Sequence, residues 1–269
     1  MIESSFCFLS GVGRRTERQW WQWGIETWED FLSSHAIPGL GAKRKALFDE
    51  ALRHAQERRA RKDARYFAVN LQARDQWRLY EWLRPRAVYL DIETNSFGQI
   101  TVVGMYGHGR CVSLVRGDSL TRRQLCEELA PYDLLVTFNG TAFDLPVLLT
   151  TFPDLPLDQP HLDLCCLGRQ LGYHGGLKSI ETQLGIQRRA ELQDMSGADA
   201  AHFWNRWRHG RDEEARERLL AYNLADCVNL EPLQTHSIAK WFNGIEVVSR
   251  ERLMREAVAE ITRSSNLLF

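Results

Sequence analysis

Asp91 and Glu93 stand two residues apart at the end of an otherwise apolar run, Ala87-Val88-Tyr89-Leu90-Asp91-Ile92-Glu93. In an extended strand that spacing sends both side chains to the same face. Two acids on one buried face repel each other, and the pairing costs stability unless a cation or a proton offsets it. Asp144 follows the apolar run Leu134-Leu135-Val136-Thr137-Phe138 and the turn residues Asn139-Gly140, where it opens a helix. Ligands of α/β sheets commonly sit at such a point. Charge compensation at a helix N-terminus, worth about 0.3–1 kcal/mol, is the plainer use of an acid there. Tyr222 and Asp226 are four apart in a helical stretch that begins near Asp212, so they stack one turn apart. A phenol beside a carboxylate suits water activation near a metal.

The elements that must carry these residues are short strands and helices. Strands are expected at Ala87–Glu93, Ile100–Met105, Cys111–Val115 and Leu134–Phe138, with a fifth at His161–Leu164. Gly107, His108 and Gly109 form the turn between the second and third. Helices are expected at Thr121–Leu129, around Phe143–Leu149 and through most of Leu177–Phe242. Three antiparallel-capable strands followed by alternating helix and strand imply a mixed sheet with helices on both faces, an α/β layer architecture.

The 269 residues, 44% hydrophobic and 26% charged, suffice for one large domain or a medium domain with a small attachment. Composition excludes disorder throughout, and no run approaches the roughly 18 apolar residues of a spanning helix. The start, Met1-Ile2-Glu3-Ser4-Ser5, places an acid where a secretory signal has bases. A cytoplasmic chain that avoids membranes is therefore expected. The six cysteines include no Cys-x-x-Cys pair, which argues against a zinc ribbon or a thioredoxin-type site and for free, buried thiols. A net charge of −1 does not describe a generally basic nucleic-acid binder. Yet Met1–Arg86 holds 16 Lys and Arg against 11 Asp and Glu, and Ala87–Phe269 holds 18 against 24. A basic front suits a polyanion and an acidic back suits a divalent cation.

The front contains an internal echo. Leu9-Ser10-Gly11-Val12-Gly13-Arg14-Arg15-Thr16 matches Ile37-Pro38-Gly39-Leu40-Gly41-Ala42-Lys43-Arg44 at a spacing of 28 residues. Each copy places Gly-x-Gly before a basic helical stretch, which leaves backbone N–H groups open to a phosphate. Thr27 is expected to cap a short helix between the copies. The pattern resembles the helix-hairpin-helix module of DNA-handling proteins over roughly residues 6–52. Gly11, Gly13, Gly39 and Gly41 are then the candidate phosphate contacts, with simple turns as the alternative use. Where the module has a small residue, this chain has Glu17 and Lys45, which argues against tight helix packing there. Trp20, Trp21, Trp23 and Trp28 serve either a small core or base stacking, the core being the expected use.

Taken in order, Asp91-x-Glu93, Asn139-Gly140-x-x-Phe143-Asp144 and Tyr222-x-x-x-Asp226 resemble the DEDD superfamily of 3′–5′ exonucleases in its tyrosine variant. Tyr89-Leu90-Asp91-Ile92-Glu93-Thr94, Val136-Thr137-Phe138-Asn139-Gly140, Gly175-Gly176-Leu177-Lys178 and Ala221-Tyr222-Asn223 are similar to its YprB-like branch. The resemblance implies a ribonuclease H-like mixed five-stranded sheet with flanking helices over about residues 86–243; the residues outside it are read as a small all-α module (1–60), a helical connector (61–85) and a helical extension (244–269). It implies that Asp91, Glu93, Asp144 and Asp226 hold two divalent ions, Mg²⁺ or Mn²⁺, that Tyr222 orients or deprotonates the attacking water, and that Thr94, Asn139, Phe143 and Lys178 contact substrate. Asp163 is expected to support by hydrogen bonding, while Phe203-Trp204-Asn205-Arg206-Trp207-Arg208 suits either strand gripping or inward packing. The expected partner is nucleic acid, single-stranded DNA first because of the front module and RNA second. The rivals are an exoribonuclease of the same fold and a non-catalytic nucleic-acid-binding scaffold.

Overall fold

The apolar runs condense into one five-stranded sheet of order β3-β2-β1-β4-β5: β1 (Ala87–Thr94), β2 (Ile100–Gly107), β3 (Arg110–Val115), β4 (Leu134–Thr137) and β5 (His161–Asp163). The first three strands pair antiparallel, and β4 joins β1, and β5 joins β4, in parallel. This computed structural model describes residues 1–244. The extension expected over 244–269 lies, apart from Gly244, outside them. Two compact units emerge, one built on residues 3–53 and the other on residues 54–238.

The smaller unit is helical: α1 (Arg14–Gln22), α2 (Trp28–Ser33) and α3, which runs over Ala42–Ala60. The sequence echo is a structural repeat. Val12 N donates to Leu9 O and Leu40 N to Ile37 O, both at 3.0 Å. Gly11 and Gly39 adopt φ of +73° and +72°, a left-handed backbone that only glycine takes without strain. Thr27 caps α2 in a reciprocal box with Asp30, its Oγ1 accepting from Asp30 N at 3.2 Å. Phe6, Trp20, Trp28, Phe31 and Phe48 are buried, with Trp20 5.2 Å from Phe6 and 5.1 Å from Phe31. Trp20, Trp21 and Trp28 therefore serve the core, whereas Trp23 is exposed.

Glu17 and Lys45 do not hold the helices apart; both are buried. Glu17 Oε1 accepts from Phe6 N at 2.7 Å and Ser5 Oγ at 3.2 Å. Lys45 Nζ pairs with Asp49 at 2.6 Å and lies 4.9 Å over the Phe31 ring. Charged residues fit where small ones were expected because each finds polar partners inside.

In the larger unit α4 (Ala64–Asn70) and α5 (Tyr80–Leu83) precede the sheet. After β3 come α6 (Arg122–Leu129), α7 (Asp144–Thr151), α8 (Leu164–Gln170), α9 (Leu177–Leu184), α10 (Ala190–Gln193), α11 (Gly197–Gly210) and α12 (Glu213–Gly244). Period-two alternation along β1 divides its side chains. Val88, Leu90 and Ile92 join Leu125 and Leu129 of α6 and Leu148 of α7 in one core cluster. On the other face Val102 and Val115 pack with Trp204 of α11 and with Leu219 and Tyr222 of α12. Trp204 is thus an inward-packing residue, with Arg208 over its ring at 5.6 Å. Cysteines depart from the expectation of burial: Cys165 and Cys227 are buried, but Cys111 and Cys166 are exposed. Among the described residues no helix is long and apolar enough to cross a membrane.

Gly104 of β2 pairs with Asp91 across the strands. A Cβ there would come within 2.1 Å of Asn223 Oδ1 and 2.9 Å of Cys227 Sγ. The missing side chain lets α12 approach the sheet closely at this point. Gly104→Ala is expected to cost about 1–3 kcal/mol, the usual penalty of overpacking, read as a lowered urea midpoint at unchanged m-value.

Candidate metal centre

β1 is central in the sheet, and its second face, carrying Tyr89, Asp91 and Glu93, is covered by α12. Carboxylate oxygens of Asp91, Glu93 and Asp226 lie within 4.8 Å of one another. Asp91 is half-buried and the other two are buried. Asn223 explains how Asp91 is held: its Nδ2 donates to Asp91 Oδ2 at 2.8 Å and to Asp91 O at 3.2 Å. Glu93 precedes a shift of register between Glu93 and Thr94, and Thr94 sits half-buried at the strand end.

Asp144 is the first residue of α7 and only 3% exposed. Its Oδ1 accepts from Ile92 N at 3.1 Å, which ties the helix start to β1 between the two acids of that strand. It does not join the group of three at their spacing, yet its charge acts on Asp91 and Glu93. The loop before it is fixed by Asp163. That carboxylate accepts from Asn139 N at 2.9 Å, Thr141 N at 3.0 Å and Cys165 N at 3.0 Å. Asn139 consequently holds a left-handed backbone, φ +63°. Phe143 caps α7 and leaves its ring 42% exposed.

Tyr222 and Asp226 face the acids from α12, both buried. Lys178, the second residue of α9, lies 5.0 Å over the Tyr222 ring and donates to Gln193 O at 3.3 Å. Gly11, Gly13, Gly39 and Gly41 belong to the smaller unit, each exposed. Three features carried no assigned role in the sequence. One is the donor Asn223, one is Arg188 beside Asp226, and one is Phe97, 88% exposed in the turn between β1 and β2. That turn is rigid, since Asn95 Oδ1 accepts from Phe97 N and Gln99 N at 3.0 Å each. An apolar aromatic between turn residues was the available signal.

Burial and mutual repulsion push these carboxyls above their ordinary range. Burial, then the charges of Asp226, Glu93 and Asp144, push Asp91 well above the carboxylate range. Burial, then Asp226 and Asp144, raise Glu93 to about 8 against an opposing pull from Lys178. Burial raises Asp144 to about 7, opposed by backbone hydrogen bonds. Asp226 is raised by burial, with Arg188 opposing, and burial and the acids raise the Tyr222 phenol. A set of hard oxygen donors under this strain fits a divalent cation such as Mg²⁺ or Mn²⁺.

Carboxyls whose folded pKa lies above the unfolded value favour the folded state at low pH, and that contribution fades as pH climbs through the folded value. In chelator, the melting temperature is therefore expected to fall between about pH 4 and pH 8, the interval from ordinary carboxylates to Glu93. Asp91→Asn, which removes one repelling charge, should flatten that slope in thermal melts; a slope equal to that of the unsubstituted chain would contradict the electrostatic account.

A model of the RNase_H superfamily matches residues 88–238. Similar solved structures include the family B DNA polymerase of the hyperthermophilic archaeon Pyrobaculum calidifontis, at 18% identity and TM-score 0.46, covering 56% of this chain and 24% of that one. They also include Escherichia coli RNase D, an exoribonuclease involved in structured RNA processing, at 20% identity and TM-score 0.43, covering 61% of this chain and 42% of that one. The chain thus spans less than half the length of either. No curated protein matches it. The matched segment takes in β1 with Asp91 and Glu93, α7 with Asp144 and α12 with Asp226, and by that match the chain belongs to the RNase_H superfamily.

Proposed function

We propose that the chain is a metal-dependent 3′–5′ exonuclease of the DEDD type, YprB-like in its motifs, acting on single-stranded nucleic acid. The observation that supports this reading above all is the convergence of Asp91, Glu93 and Asp226 within 4.8 Å from two separate elements. Asp91, Glu93, Asp144 and Asp226 would hold the ions. When bound, two divalent cations activate a water and stabilise the leaving 3′ oxygen. Tyr222, one turn from Asp226, would orient the water. Lys178, on the helix facing it, would meet the scissile phosphate. The exposed ring of Phe143, with Thr94 and Asn139 near the acids, would contact the terminal nucleotide, and the exposed Phe97 would stack on a base.

In the smaller unit, Gly13 and Gly41 have nothing within 4 Å of where a Cβ would stand. Open backbone N–H groups before α1 and α3, with exposed Arg15 and Lys43 at matching positions, suit two phosphates of one strand. The resemblance of this unit to a module of DNA-handling proteins makes single-stranded DNA the first substrate; RNA is the second.

The test is end-labelled single-stranded DNA and RNA with Mn²⁺ or Mg²⁺. Mononucleotide steps from the 3′ end are expected, with loss of at least about 100-fold in rate for Asp144→Asn at unchanged circular dichroism, in line with losses of groups that act as a unit. Binding without any release from the unsubstituted chain would favour the scaffold reading. The paired change Arg15→Glu and Lys43→Glu is expected to weaken binding of single-stranded DNA and to lower the slope of log affinity against log salt by about 1–2. A slope that does not move removes the smaller unit from substrate binding.

A further inference from the structure

Arg188 lies in the connection between α9 and α10, 38 positions before Asp226, and its side chain is 3% exposed. Its Nε and Nη2 meet Glu181 Oε2 and Oε1 at 2.5 and 2.7 Å, a two-pronged fork. The remaining arm, Nη1, forms an ion pair with Asp226 Oδ1. Asn229, three residues after Asp226 on the same face of α12, donates to Glu181 Oε1 at 3.0 Å and closes the set. Among these four side chains, three are charged and almost wholly enclosed.

Two roles fit a buried guanidinium beside an acid cluster: charge compensation or orientation. The fork supports the second alongside the first. Glu181 offsets part of the positive charge of Arg188 with both of its oxygens, and what the lock adds to the remaining charge is direction. The planar guanidinium, locked by Glu181, holds Nη1 against Asp226 Oδ1, and turning the Asp226 carboxylate away would part that ion pair. A lysine at 188 would keep the charge and lose the fork.

We propose that Arg188, locked by Glu181 and Asn229, is a positioning residue that fixes the carboxylate of Asp226 for a divalent cation. The inference rests on the exonuclease reading above. Groups that orient metal ligands commonly govern affinity by 10–100-fold, and the effect here belongs to metal binding and turnover, since Arg188 does not meet substrate.

The experiment titrates the full chain with Mn²⁺ by calorimetry, comparing it with Arg188→Lys, Arg188→Gln and Glu181→Gln, and with Asn229→Ala in case the buried substitutions unfold. Circular dichroism and melting temperature report folding. Mn²⁺ affinity is expected to drop about tenfold in both Arg188 variants and in Glu181→Gln, and by a smaller factor in Asn229→Ala. Oligonucleotide assays should show kcat falling with KM unchanged, and Arg188→Lys should rescue no more than part of the loss in Arg188→Gln. Folded variants with the Mn²⁺ affinity of the unsubstituted chain overturn this inference alone. An unsubstituted chain that binds no Mn²⁺ overturns the exonuclease reading and this inference with it.

Discussion

Repulsion among Asp91, Glu93, Asp144 and Asp226 is the constraint around which the larger unit is arranged. The four acids sit on three supports: two on the central strand, one at the start of α7 and one on α12. Three of the four have a neutral or cationic group that pins them. Asn223 holds Asp91, Ile92 N holds Asp144 and Arg188 holds Asp226. Without those groups the side chains would relax apart toward solvent, since like charges in a poorly hydrated site lower their energy by separating. The surrounding hydrogen bonds therefore keep the acids close in spite of their charge.

Two features make this possible at a distance from the acids themselves. Gly104 clears the sheet surface opposite Asp91, so that α12 can bring Asn223 into reach. Asp163 gathers backbone N–H groups from two sides, the loop after β4 and the start of α8, and thereby sets where α7 begins. Neither residue belongs to the acid group, yet both decide where it can form.

Much of this was legible in the sequence because it is local. Alternation along Ala87–Glu93 places Asp91 and Glu93 on one face, and the four-residue step from Tyr222 to Asp226 places both on one side of a helix. Strand positions follow from apolar runs bounded by turn residues, and the observed strands differ from them by one or two residues at their ends. Asp163 was readable as a supporting acid. Arg188 was not, because nothing in its segment marks which carboxylate a lone arginine will meet across the fold. Gly104 escaped for a similar reason: a glycine in a strand shows its purpose only when the opposing helix is in place. Glu17 and Lys45 were read as obstacles because their buried partners, the Phe6 amide and Asp49, are settled by tertiary packing.

The paired turns of the smaller unit carry one more consequence. After turns of matching geometry, one half encloses an anion, Glu17, and the other a cation, Lys45. The halves differ in the charge they enclose, so neither is a copy of its twin: a glutamate in place of Lys45 would leave Asp49 without its cation and enclose a second anion. The module is symmetric in outline and asymmetric in its interior, which fixes a definite order of the two turns along the chain.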